Sequence, residues 1–129
     1  MKETRHEKVL LVSDDKDSGI YEAQLIESGY DVVVAHTIRE VDDVFRAIRD
    51  KRTGFYAVVL DGEFQGGGGW ERIMRDMLKT NHQLPVFLHT PHSRDYKNYP
   101  RADMVNAIVH KGVESLAEAV DRIQTSPIR

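Results

Sequence analysis

Four consecutive apolar residues, Val9-Leu10-Leu11-Val12, stand between Lys8 and the acidic pair Asp14-Asp15. A half-exposed strand alternates polar and apolar positions, whereas an unbroken run demands cover on both faces. Such a strand belongs in a parallel sheet between layers of helix, which restricts the chain to α/β architectures.

Four later segments read the same way: Asp31 to Ala35 with its three valines, Phe55 to Leu60, Leu84 to His89, and a short run Ala107 to Val109. Helical spacing fills the intervals. Ile20 to Ser28 carries Tyr21 and Leu25 on one face, with Asp17 or Ser18 as N-cap and Gly29 as the stop. Thr37 and Glu40 have capping-box spacing, and Val41, Val44, Phe45 and Ile48 follow at i, i+3, i+4, i+7, with Gly54 read as the end of that helix. Trp70, Ile73, Met74, Met77 and Leu78 repeat the pattern, as do Val113, Leu116, Ala117 and Val120.

Between Pro91 and Asn106 no period is visible, and Pro100 would interrupt a helix through its middle, so a helix there is expected to be short, irregular or absent. Strands that alternate with helices need right-handed crossovers and give a parallel sheet with helices on both faces. The expected fold is a single doubly wound, five-stranded parallel sheet, one domain over residues 1–129.

Composition narrows the chemistry. A chain of 129 residues can bury one real core. With no cysteine, disulfides, thiolate zinc sites and cysteine nucleophiles are excluded together. A formal net charge of −3 gives no electrostatic reason for nucleic-acid binding. The run Val9 to Val12 is too short for a secretory or membrane segment, so a cytoplasmic protein without membrane contact is expected.

In open parallel sheets ligands bind at the carboxyl ends of the strands. Asp14, Asp15, Asp61, Thr90 and Lys111 all fall at such ends. Three carboxylates gathered there repel one another unless a cation neutralises them, and hard oxygen ligands without cysteine favour Mg²⁺. A metal beside a carboxylate, with a hydroxyl and an ammonium opposite, suits phosphoryl transfer, with Asp61 as the nucleophile that forms an acyl phosphate. Two other signals are set aside. The run Gly66 to Gly69 lacks the Lys-Ser/Thr of a phosphate-cradling loop. His89, His92 and His110 do not suit zinc, because strand alternation turns His89 away from Thr90 and His110 away from Lys111.

With these residues assembled, the sequence resembles the receiver domain of two-component response regulators, the chemotaxis-regulator fold with strand order 2-1-3-4-5. The resemblance runs over nearly the whole chain. It implies that Asp14 and Asp15 bind Mg²⁺, that Asp61 accepts phosphate from a phosphohistidine, and that the backbone carbonyl of Glu63 is a further metal ligand. It makes Thr90 the switch hydroxyl and Lys111 the partner of the phosphoryl group. Gly69, Trp70 and Glu71 match the glycine-apolar-glutamate that opens the third helix, and Glu63 and His92 fall where receivers tune phosphate lifetime.

Three positions depart from the pattern: Gly112 stands where the family has proline, Ile108 replaces its aromatic switch residue, and Pro91 removes a backbone N–H that donates to the phosphoryl group. A second resemblance rests on LPVFLHT and RDYKNYP, with VVLDGEF upstream. These look like the N-terminal wing domain of bacterial ornithine, lysine and arginine decarboxylases, a flavodoxin-like assembly element without its own catalysis.

The leading expectation is a two-component receiver that takes a phosphoryl group on Asp61 with Mg²⁺. It would be no enzyme beyond its own phosphorylation and dephosphorylation. Its partners would be a sensor histidine kinase or phosphotransfer protein, and an output domain, protein partner or second copy of the chain. The alternative is a degenerate receiver or wing-like interaction module of the same fold that is not phosphorylated. The glycine run reads as a mobile lip over Asp61, with the third helix starting near Gly69 or Trp70.

Overall fold

The computed structural model describes residues 7–14, 16, 18–50, 54–64, 69–80, 84–90, 107–111 and 115–125, with the backbone alone at 70, 71, 77–80, 107 and 123–125. Along the chain run β1 (Lys8–Val12), α1 (Ser18–Glu27), β2 (Asp31–Ala35), α2 (Ile38–Arg49), β3 (Ala57–Asp61), α3 (Gly69–Thr80), β4 (Val86–Thr90), β5 (Ala107–His110) and α4 (Leu116–Thr125). The strands form one sheet in the order β2-β1-β3-β4-β5, with every neighbouring pair parallel. The doubly wound parallel sheet is the one expected from the apolar runs, and its strand order is the one that the receiver resemblance implied.

The two faces of the sheet carry separate cores. Leu10, Val12, Val58, Leu60, Val86 and Leu88 point to one side, where α2 supplies Val41 and Phe45 and α3 supplies Ile73 and Met74. Val9, Leu11, Val59, Phe87 and Val109 point to the other and meet Leu25 of α1 and Leu116, Ala117 and Val120 of α4. Successive residues of one strand thus enter different cores, which is why β1, β3 and β4 contain no alternation to read.

Two helix ends show how local sequence sets the elements. At the end of α1, Gly29 takes φ 98°, a left-handed conformation that glycine adopts without penalty. Its N–H donates to the Ile26 carbonyl at 2.9 Å and the Tyr30 N–H to the Leu25 carbonyl at 3.2 Å, the paired bonds of a Schellman motif. At the start of α2, Thr37 is extended, its side chain accepts from the Glu40 N–H, and the Glu40 carboxylate accepts from the Thr37 N–H. The same carboxylate accepts from the His36 N–H at 2.8 Å.

Some boundaries differ from the sequence reading. Helix α2 ends at Arg49 and is capped by Asp50, whose N–H turns back to the carbonyls of Arg46 and Ile48, so Gly54 does not terminate it. Strand β4 begins at Val86, because Pro85 has no N–H to extend the ladder, although Leu84 is still buried in the core. Strand β3 begins at Ala57 and includes Asp61. Helix α3 starts at Gly69, as its glycine-rich approach suggested. The expected irregular helix between Pro91 and Asn106, and the lip Gly66 to Gly68, lie outside the described residues.

Thr37→Ala is expected to lower the unfolding free energy by about 1 kcal/mol, read from the urea midpoint. The His36 N–H bond, first among several influences, holds the Glu40 carboxyl below its usual value of 4.5. A depressed folded-state value means that this contribution is complete above pH 4.5 and is lost as pH falls through the lower folded value. Glu40→Gln, which keeps the capping box but cannot titrate, should flatten that part of the acid response.

Candidate functional site

The carboxyl edge of the sheet is built by ladder bonds that continue one residue past the strands. Ser13 N–H donates to the Ala35 carbonyl at 3.0 Å, Gly62 N–H to the His89 carbonyl at 2.9 Å, and Lys111 N–H to the Thr90 carbonyl at 3.0 Å. Each bond fixes the backbone beside a polar side chain, so these groups are positioned by the sheet itself.

At the centre is Asp61, only 2% exposed. Its Oδ1 accepts from Lys111 Nζ at 2.8 Å and from the Glu63 N–H at 2.9 Å. Its Oδ2 accepts from the Ser13 hydroxyl at 2.9 Å. Lys111 is itself mostly enclosed, with 9% of its side chain exposed. Its Nζ lies 5.9 Å from the centroid of the Tyr21 ring, and Tyr21 in turn packs edge-on against His89 with centroids 4.5 Å apart. The pair is therefore a buried salt bridge with hydrogen-bonded oxygens, the condition under which burying a carboxylate is tolerated.

Of the residues singled out from sequence, the structure brings Asp61, Lys111 and the Glu63 backbone into direct contact. Thr90 is fully buried at the end of β4. Asp14 is exposed, one position beyond the residue that touches Asp61. Asp15, Pro91, His92 and Gly112 lie outside the described residues. Two participants were not anticipated. Ser13 is a small hydroxyl between an apolar run and an acidic pair, and nothing in its spacing separates it from an ordinary loop serine. His36 places Nδ1 2.9 Å from the Ser13 carbonyl, and since a carbonyl only accepts, that nitrogen carries the proton.

Among the described residues no three His, Asp or Glu side chains gather into a metal cluster. Among the described residues the edge offers oxygen, from Asp61, backbone carbonyls and Asp14 one position past Ser13, with no cluster of histidines. That donor chemistry fits a hard cation that retains much of its own water, as Mg²⁺ does, and not a transition metal.

No protein-family model and no curated protein sequence matches the chain. Its likeness is to solved structures. The response regulator TrrA from Thermotoga maritima, in complex with Mg²⁺-BeF, superposes with TM-score 0.70 at 19% identity, covering 92% of this chain and 96% of that one. The non-phosphorylated HemR receiver domain from Leptospira biflexa gives 0.71 at 24% identity over 95% and 99%. Chemotaxis protein CheY4 of Vibrio cholerae gives 0.72 at 18% over 92% and 98%.

The chain has the response regulator receiver fold.

Within the receiver fold, the strand order leaves β4 between the strand that carries Asp61 and the strand that Lys111 follows, so the Asp61–Lys111 ion pair ties together the ends of β3 and β5. Removing the ammonium leaves a carboxylate buried without its counter-charge, whereas removing the carboxylate's charge leaves a lysine long enough to reach water. Lys111→Ala is therefore expected to cost about 3 kcal/mol of stability by denaturant unfolding, and Asp61→Asn clearly less. Equal losses would mean that the Asp61 charge is neutralised elsewhere.

Proposed function

We propose that the protein is a two-component receiver in which Asp61 accepts a phosphoryl group and the resulting change at the sheet edge is passed to a partner. The observation that carries this reading is the carboxylate of Asp61, buried at the carboxyl edge of a parallel sheet and held against Lys111. A carboxylate oxygen attacks phosphorus, the bond between phosphorus and the donor's imidazole nitrogen breaks, and its electron pair leaves with the imidazole. The product is an acyl phosphate, and Lys111, already within 2.8 Å of Asp61, is placed to face the charge that develops on the phosphoryl oxygens.

Asp14, Asp15, Asp61 and the Glu63 backbone carbonyl are the groups that would hold Mg²⁺. When bound, the cation neutralises charge shared between carboxylate and phosphoryl oxygens. TrrA, solved with Mg²⁺-BeF, supports this assignment by fold. Thr90, buried beside the site, would report the phosphoryl group to the interior, and Glu63 and His92 would set how long it persists. The phosphoryl donor would be a sensor histidine kinase or phosphotransfer protein. Output would pass through the face made by β4, β5 and their helices, to an attached domain, a protein partner or a second copy, by a shift between two populations.

The second reading, a module of the same fold that binds its partner without phosphate, draws on one observation: both oxygens of Asp61 already accept hydrogen bonds from protein groups. Incubation with a labelled small phosphoryl donor and Mg²⁺ separates the two. The receiver reading expects acid-labile, hydroxylamine-sensitive label in the natural protein and none in Asp61→Asn. No label in either protein favours the second reading, and label that survives in Asp61→Asn removes Asp61 as the phosphoacceptor.

A further inference from the structure

The two oxygens of Asp61 are not equivalent. Oδ1 accepts an ammonium and an amide N–H, which occupies both of its acceptor directions with strong donors. Among the described residues Oδ2 accepts a single neutral donor, the hydroxyl of Ser13. Oδ2 therefore keeps a lone pair that neither strong donor occupies, and it is the oxygen that an electrophile or cation meets.

The serine that guards it is held on both sides. Its N–H donates to the Ala35 carbonyl, its carbonyl accepts from His36, and it is 3% exposed. Fixed through its backbone to the end of β2, Ser13 cannot swing far. The hydroxyl can still turn by rotation about its own side-chain bond. A carboxylate at this place would add charge and draw a cation in; a serine adds none and instead shields Oδ2 with a proton.

We propose that Ser13 is a positioning residue that gates Oδ2, holding it back from cation and phosphoryl group until its hydroxyl turns away. The inference rests on the reading of Asp61 as phosphoacceptor. In the gated step the Ser13 proton leaves Oδ2, an Oδ2–phosphorus bond forms, and the bond from phosphorus to the donor's leaving group breaks with its electron pair. Lys111 and the Glu63 N–H stay on Oδ1 and keep the carboxylate aligned throughout. Ser13 thus sets the rate and the cation affinity of the site while touching neither donor nor product.

The test compares the natural protein with Ser13→Ala and Ser13→Thr, using Mg²⁺ alone and then a labelled small acyl phosphate. Mg²⁺ added stepwise, followed by the amide NMR signals of Gly62 and Glu63, should bind Ser13→Ala several-fold more tightly, with Ser13→Thr close to the natural protein. The initial labelling rate should rise about tenfold in Ser13→Ala, the factor carried by loss of one modest hydrogen bond, and return with threonine. Should Ser13→Ala not fold, Ser13→Cys, a weak donor of similar size, carries the same expectation. Equal Mg²⁺ responses in natural protein and Ser13→Ala, including none in either, overturn the gate. Tighter Mg²⁺ binding without label in any variant leaves the gate standing and removes the phosphoacceptor reading; equal responses with normal labelling do the reverse.

Discussion

A carboxylate that is 2% exposed must be neutralised where it stands, and in this protein that requirement governs the whole carboxyl edge of the sheet. The compensating ammonium comes from Lys111, just past β5, so β3, β4 and β5 have to finish at matching heights. They do so because the parallel ladder runs on by one residue, through Gly62 to the His89 carbonyl and through Lys111 to the Thr90 carbonyl. Ser13 is fixed in the same manner on the other side, by β2. The charged centre is thus an outcome of register, and a slip of one residue in any of these strands would separate its members.

Register in turn depends on the two cores. Leu10 and Val12 enter one, Val9 and Leu11 the other, so neither face of β1 could turn to solvent without exposing apolar surface. Helices α2 and α3 cover one side and α1 and α4 the other. Tyr21 links this packing to the chemistry, since one ring of α1 lies near both Lys111 and His89. Solvent is kept from the ion pair by the layer that buries the sheet, which strengthens the interaction and makes its loss costly.

Features that depend on a few neighbouring residues were legible in the sequence. Thr37 and Glu40 form the box their spacing announced, and Gly29 adopts the left-handed turn that ends α1. Gly54 reads as a stop because a glycine near the end of a pattern resembles a cap, while the chain closes α2 at its Asp50 cap through ordinary turn bonds. Leu84 reads as part of a strand for its hydrophobicity; it is buried, yet Pro85 denies it a place in the ladder. Ser13 and His36 were missed for a different reason. Their roles depend on which atoms lie across the edge from them, and no local period encodes that.

The sequence by itself determined the class of fold, the alternation of strand and helix, and the positions of Asp61 and Lys111 at strand ends, because periodicity and end residues are properties of short stretches. Only the tertiary structure decided that Lys111 and Glu63 share one oxygen of Asp61 while Ser13 takes the other. Those contacts join residues as many as 50 positions apart. They exist because parallel pairing sets strand ends side by side and two packed helical layers hold them there.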